Sequence, residues 1–185
     1  IQVSYPSTSL QYFNLLRRQA LRKWRKPLIV FTPKSMLRAA PASAPIEDFA
    51  NGSFKNVLED TVYNKDAERI LICAGKITHE LRKQREHRQD TNTAIITLEQ
   101  FFPFPEKELI AEIEKYPNAK SLIWVQEEPA NMGALSFVRP LLERISGNKR
   151  VSTIRRSASA SPATGSAKAH ALEQAAIIKL AFANY

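Results

Sequence analysis

Between residues 70 and 181, short apolar runs alternate with longer amphipathic stretches, and this alternation restricts the fold more than any other feature. The runs at 70–74, 94–98, 121–125 and 151–154 are too short for helices and are rich in Ile, Leu, Val and Thr, so they read as buried strands. Stretches 77–88, 105–115, 131–145 and 168–181 carry the helical pattern between and after them. Strands separated by helices need crossover connections. The expected fold is therefore α/β, a mainly parallel sheet with flanking helices.

The sequence ahead of this array reads differently. Thr8 and Gln11 stand in capping-box spacing, and Leu10, Phe13, Leu16, Leu21 and Trp24 recur near the helical period, which predicts a helix over 8–23 ended by Pro27. A four-residue apolar strand follows at 28–31, closed by Thr32 and Pro33. Residues 39–66 pass through Pro41, Pro45 and Asn51-Gly52 with one short helical stretch, the signature of a long surface connection. A domain boundary is placed here, dividing 1–38 from 39–185.

With 185 residues the chain can bury one sizeable core, or one domain carrying a piece of a neighbour. The net charge of +9 is unevenly spread: residues 1–46 hold eight bases and no acid, 47–143 hold 12 bases against 17 acids, and 144–185 hold seven bases against Glu173. No nucleic-acid recognition motif accompanies the basic ends, so they are read as facing acidic surfaces of neighbouring domains, with no nucleic-acid partner. The single cysteine, Cys73, excludes a disulfide framework and a cysteine-based metal site, and fits a reducing intracellular setting. No apolar run approaches the roughly 20 residues that cross a bilayer, so no membrane role is expected. The chain opens on Ile1 with neither an initiator Met nor a signal-peptide pattern, and is read as a segment of something longer.

Polar residues gather at two strand ends, 98–105 and 124–133, where an open α/β sheet builds its functional edge. Glu127 and Glu128 are adjacent carboxylates, but neighbours on a strand point to opposite faces, so only one enters a given site. With Gln126 and Asn131 they are read as hydrogen-bonding the turn and an adjoining domain. Pro103 and Pro105 keep the backbone extended around Phe101, Phe102 and Phe104, so at least one ring should project outwards as a docking edge. Gly75-Lys76 invites comparison with a phosphate loop, but the glycine needed five residues earlier is Ile70 and the following residue is Ile77; a helix-capping turn is the simpler reading. His79, His87 and His170 have no partner at ligand or triad spacing, and Cys73 on an apolar strand is read as a small buried hydrophobe. Lys76, Arg155 and Arg156 beside strand ends offer a candidate effector site for a nucleotide or coenzyme A.

Taken in order, Pro6-Ser7-Thr8, Gln11-Tyr12-Phe13, Arg25-Lys26-Pro27-Leu28, Ala50-Asn51-Gly52-Ser53-Phe54, Gly75-Lys76, Glu99-Gln100, Pro103-Phe104-Pro105, Gln126-Glu127-Glu128-Pro129, Gly133-Ala134 and the 158–163 stretch resemble the C-terminal region of the 2-oxoglutarate dehydrogenase decarboxylating component over nearly the whole chain. That resemblance implies a transketolase C-terminal-domain-like fold for 39–185, preceded by the tail of a pyrimidine-binding domain in 1–38. It implies a full-length parent that uses thiamine diphosphate and Mg2+, forms a homodimer, and passes a succinyl group to the dihydrolipoyl succinyltransferase component in the tricarboxylic acid cycle. Its setting would be bacterial cytoplasm, or the mitochondrial matrix in a eukaryote. The 2-oxoadipate-specific relative shares this region. The Gly-Asp-Gly motif followed by Asn that holds the metal diphosphate is missing, so no catalytic, cofactor-binding or metal residue is carried over, and the segment alone is expected to bind no cofactor and to be inactive. Phe102, Pro103, Phe104, Gln126, Glu127, Glu128, Asn131, Gly133, Ser159 and Ser161 are expected to lie against the catalytic domains or the second subunit.

Overall fold

In a computed structural model, which describes residues 1–183, four strands of the alternating array and one two-residue strand from the 39–66 connection form a five-stranded sheet, in the order β3-β5-β4-β7-β8. Its strands are β3 (Val57–Leu58), β4 (Arg69–Cys73), β5 (Thr93–Leu98), β7 (Ser121–Pro129) and β8 (Arg150–Arg156). The contacts β4/β5, β4/β7 and β7/β8 are parallel; only β3 runs antiparallel. The mainly parallel α/β sheet expected from the sequence is the sheet observed. From β4 the chain steps to β5 on one side and then crosses to β7 and β8 on the other, so the winding reverses beside β4.

The pleat divides the core into two layers. Ile70, Ile72, Leu122 and Trp124 pack with Leu109 and Ile113 of α4 (Glu106–Glu114) and Val138 and Leu142 of α5 (Leu135–Ile145). Leu71, Cys73, Ile123 and Val125 face the other way, against Ile77 and Leu81 of α3 (Ile77–Arg88) and Ile177 and Ala181 of α6 (Ala167–Ala181). Side chains such as Leu71 and Ile72, removed wholly from water, each contribute about 1.5–3 kcal/mol.

A second, three-stranded sheet joins the N-terminal segment to this domain. Its centre, β1 (Gln2–Ser4), pairs in parallel with β2 (Leu28–Val30) and antiparallel with β6 (Gln100–Phe102). Neither β1 nor β6 was expected from the sequence, because three residues are too few to show alternation. Between β1 and β2 lies α1 (Ser9–Leu21), where Thr8 Oγ1 accepts the Gln11 N–H at 3.1 Å. The reciprocal half of the capping box is missing, because the Gln11 side chain instead donates to the Lys55 carbonyl at 2.6 Å. The connection 39–66 contains α2 (Ile46–Asn51) and the two-residue β3.

Two boundaries correct the sequence reading. Strand β7 runs on to Pro129, past the expected end at 125, and α5 begins at Leu135 rather than 131. β7 continues because its end still pairs with β8, Pro129 opposite Arg156, whereas α5 starts late because residues 129–133 form a turn whose carbonyls are held by Gln126, and Gly133 has φ +68°, which a right-handed helix cannot accommodate. Among the described residues no helix is long and apolar enough to cross a membrane.

Candidate functional site

The reversal of winding beside β4 leaves a crevice at the carboxyl ends of β4 and β7, the position where open α/β sheets ordinarily build their sites. A cleft of about 500 Å³ lies there, walled by Tyr5, Phe31, Phe101, Phe102, Trp124 and Phe137. Glu127, Glu128 and Gln126 supply its polar border.

Gln126 builds the turn that shapes this edge. Its Oε1 accepts from Trp124 Nε1 at 2.9 Å, two residues back on the same face of β7. Its Nε2 lies within hydrogen-bond reach of the Glu128, Pro129 and Met132 carbonyls at 3.2, 3.1 and 2.9 Å. The side chain is almost wholly buried, and these contacts give its amide hydrogens internal acceptors. Gly133 sits over the same turn, where an added Cβ would come within 3.0–3.1 Å of Glu128 and Gln126.

Strand alternation separates the two carboxylates. Glu127 meets Lys76 Nζ at 2.7 Å and accepts from Gln174 Nε2 at 2.9 Å, on the side of α3 and α6. Glu128 has no ion pair among the described residues. Burial, together with the neighbouring Glu127, raises its carboxyl above the ordinary range, against the pull of nearby backbone N–H groups and Arg156. Burial acts first on the Tyr5 phenol too, and with Glu127 and Glu128 pushes it up to about 12.

Tyr5 is the side chain that the sequence reading passed over. Its ring lies on Gly75, where a Cβ would stand 2.2 Å from the nearest ring atom, and Gly75 has φ +67°. The glycine after β4 is therefore required twice, for its backbone conformation and for this close approach. Gly75-Lys76 forms the turn that opens α3, with the Thr78 and His79 N–H groups donating to the Gly75 and Lys76 carbonyls at 3.3 and 3.1 Å.

The aromatic-proline edge places its three rings apart. Phe101 is buried edge-on to Trp124, Phe104 packs edge-on to Phe137, and Phe102 is 45 % exposed, so one ring does project outwards. Pro103 accepts from Gln100 Nε2 at 2.8 Å through its carbonyl. At the other rim Asn131 exchanges two hydrogen bonds with the Ser159 backbone, at 2.9 and 3.1 Å, which pins the 157–165 loop to the β7 turn. Ser161 is held within that loop, its N–H donating to Ser159 Oγ and its hydroxyl to the Ala163 carbonyl.

The three basic residues taken as an effector site are not brought into one cleft. Lys76 borders a groove between α3 and α6, whereas Arg155 and Arg156 border a separate cleft with the 157–165 loop. Lys76 is paired with both Glu80 and Glu127. Burial acts to lower its pKa, but these two bonds outweigh it and hold the ammonium above its usual value. Arg156 donates to Gln174 Oε1 at 3.0 Å and stands 3.5 Å from Glu173. Gln174, whose role no local pattern announced, ties Glu80, Glu127 and Arg156 into one network.

Cys73 is wholly buried, and burial pushes its thiol up to about 12. His79 hydrogen-bonds the Ser7 carbonyl at 2.7 Å, and His170 stands 3.3 Å from Arg156. Among the described residues no three His, Cys, Asp or Glu side chains stand together as a metal-ion site. The main cleft presents carbon walls and carboxylates, the wrong charge for a diphosphate. These residues do not fit thiamine diphosphate with its metal.

The family described as "2-oxoglutarate dehydrogenase C-terminal" matches residues 43–182. The chain belongs to this family. Members of the wider enzyme resemble it beyond that span: a 2-oxoglutarate dehydrogenase E1 component of Cupriavidus necator is 42% identical over 186 residues, covering 99% of this chain and 20% of the relative. A multifunctional 2-oxoglutarate metabolism enzyme of Mycolicibacterium vanbaalenii is 45% identical over 193 residues, covering 97% of this chain and 15% of the relative. Another protein of that name, from Mycobacterium sp. (strain KMS), is 44% identical over 194 residues, 98% of this chain and 15% of its own. This 2-oxoglutarate dehydrogenase C-terminal chain thus spans a fifth or less of the curated relatives it matches.

Proposed function

We propose that the chain is the C-terminal portion of a thiamine-diphosphate-dependent 2-oxoglutarate dehydrogenase decarboxylating component, and that it serves that enzyme as an interface domain. The observation that carries the reading is the 42% identity to an E1 component across 99% of this chain. In the parent, thiamine diphosphate and Mg2+ supply the decarboxylation chemistry from residues outside this segment, and the succinyl group passes to the dihydrolipoyl succinyltransferase component. The segment contributes shape. A strand-end turn held by Gln126, an exposed Phe102 beside Pro103 and Phe104, the half-buried Glu128, and a loop pinned by Asn131 through Ser159 form a rigid edge, with rings and polar groups suited to packing against the catalytic domains or the second subunit of a homodimer.

The test is decarboxylation by the full-length parent with thiamine diphosphate and Mg2+, comparing 2-oxoglutarate with 2-oxoadipate. The reading expects a preference for 2-oxoglutarate, and no turnover from residues 1–185 alone. Preference for 2-oxoadipate would move the substrate, and turnover by the segment would sink the interface role.

A further inference from the structure

Glu99 stands at the corner between β5 and β6 with its side chain fully buried. Both its oxygens face the Ser7 N–H, at 3.2 and 3.0 Å, and Oε2 also accepts from Gln11 Nε2 at 3.3 Å. The main chain joins the same two segments, the Tyr5 N–H donating to the Glu99 carbonyl at 2.8 Å. One carboxylate thus receives donors from the residues that lead into α1 and from its first turn. It is the only side chain of the β5–β6 corner itself to do so among the bonds described.

Among the described residues Glu99 forms no ion pair. On α3, Arg82 acts on it only at longer range; its Nη2 lies 3.5 Å from Thr97 Oγ1 and from the Glu59 carbonyl, and its buried Nε has no partner. His79 of the same helix reaches the Ser7 carbonyl. From β4 the facing group is the Cys73 thiol, kept neutral by burial. The cations of α1 are engaged elsewhere: Arg17 with the Phe49 and Gly52 carbonyls, Arg18 with Asn56 and Gln100. An ionised Glu99 is therefore a buried charge with hydrogen bonds and no countercharge, a combination that protonation relieves. The Ser7 hydroxyl is buried beside it and, like the Ser7 N–H and Gln11, favours the ionised carboxyl, but burial outweighs all three.

We propose that Glu99 is a proton-operated latch that holds residues 5–11 and the head of α1 against the β5–β6 corner, closed with the carboxyl neutral and loosened when it ionises. Opening exposes the carboxylate to water, where it ionises in its usual range. Burial lifts the closed-state value from 4.5 to about 7, against the hydrogen bonds of Ser7 and Gln11 and the charge of Arg82. The added stability of the closed form is complete below about 4.5 and is lost as pH rises through about 7. Two protonation constants separated this way make the opening equilibrium grow about 70-fold between pH 5 and pH 8, and level off above.

Hydrogen-exchange mass spectrometry of the full-length protein from pH 5 to pH 9, corrected for intrinsic exchange, reads this directly. Peptides covering 5–16 should lose protection about 70-fold between pH 5 and pH 8, while α3 peptides hold theirs. Glu99→Gln removes the titrating group at nearly constant volume and should flatten the profile. Arg82→Gln, which removes the cation acting on Glu99 and leaves the corner's hydrogen bonds in place, should move the midpoint upwards and serves if the first variant does not fold. Protection of 5–16 that is unchanged across the range in the wild type, or a wild-type slope in Glu99→Gln, overturns the proposal. The readout is independent of substrate and cofactor, so it stands or falls apart from the decarboxylase assignment.

Discussion

Replacing Asp60 with Ala should be among the most damaging single changes to this fold. Asp60 and Arg85 are both nearly buried, and the guanidinium of Arg85 meets the carboxylate through both terminal nitrogens, one at 2.8 Å. The same carboxylate accepts the Ile95 N–H at 2.7 Å and the Val62 N–H at 3.1 Å, while Arg85 also donates to the Thr93 carbonyl at 3.2 Å. One side chain therefore ties α3, the start of β5 and the 59–66 connection. Truncation leaves a buried guanidinium without its partner, at a cost of about 3–5 kcal/mol. It also orphans the Ile95 N–H, for about 1–3 kcal/mol more, with part of the two terms shared. The expected loss is about 4–6 kcal/mol, a large part of the stability of an ordinary domain. Urea unfolding followed by tryptophan emission is a suitable assay, since Trp124 is buried and Trp24 is 77% exposed, so the change in emission reports the core. With a slope of about 2 kcal/mol/M, the midpoint should fall by about 2–3 M. Asp60→Asn combined with Arg85→Met removes both charges and keeps an acceptor for Ile95, so it should be less destabilised than Asp60→Ala alone. A midpoint within about 0.5 M of wild type for Asp60→Ala, or a double variant worse than the truncation, would refute the reasoning.

Two further outcomes follow from the cleft edge. Gly75→Ala sets a Cβ 2.2 Å from the Tyr5 ring at φ +67°, so thermal unfolding should drop by several degrees, at least about 1–2 kcal/mol, and Tyr5→Ala in the same chain should recover part of it. In the full-length enzyme, Phe104→Ala and Glu128→Lys should each weaken dimerisation or activity, measured by sedimentation and by turnover; wild-type values in both would remove the interface role of this edge.

Four strands of the five-stranded sheet, β4, β5, β7 and β8, were legible because each announces itself locally, whereas the two-residue β3, inside a stretch read as a surface connection, did not. Ile70, Ile72, Leu122 and Trp124 belong to apolar runs whose length alone separates them from helices, and β4 and α3 fall within one residue of their expected bounds. What escaped depends on partners distant in sequence. Strand β1 exists because Gln2 to Ser4 lie beside residues 28–30 and 100–102, and a three-residue run carries no period of its own. The start of α5 moved because Gln126, several residues upstream, holds the carbonyls that a helix would have used. At the candidate site, the opposite fates of Glu127 and Glu128 were legible from strand alternation, since only neighbours along one strand were involved. The neutralisation of Lys76 by Glu127 and the engagement of Arg156 with Gln174 were not, because they join residues 51 and 18 positions apart. Glu99 was visible as a residue of a strand end; that its oxygens are met by Ser7 and Gln11 is a fact of tertiary structure.

Strand β1 also decides how force would travel through this chain. It is bonded along one edge to β2 and along the other, across a register shift at Val3/Ser4, to β6, so the N-terminal segment is tied by main-chain bonds to the strand that follows β5. A load applied parallel to the strands meets those few bonds together, in shear. A load applied across them meets the bonds one at a time and unzips them. The junction is therefore stiff in one direction and weak in the perpendicular one, and the direction of pull, more than its size, sets which way the two parts come apart.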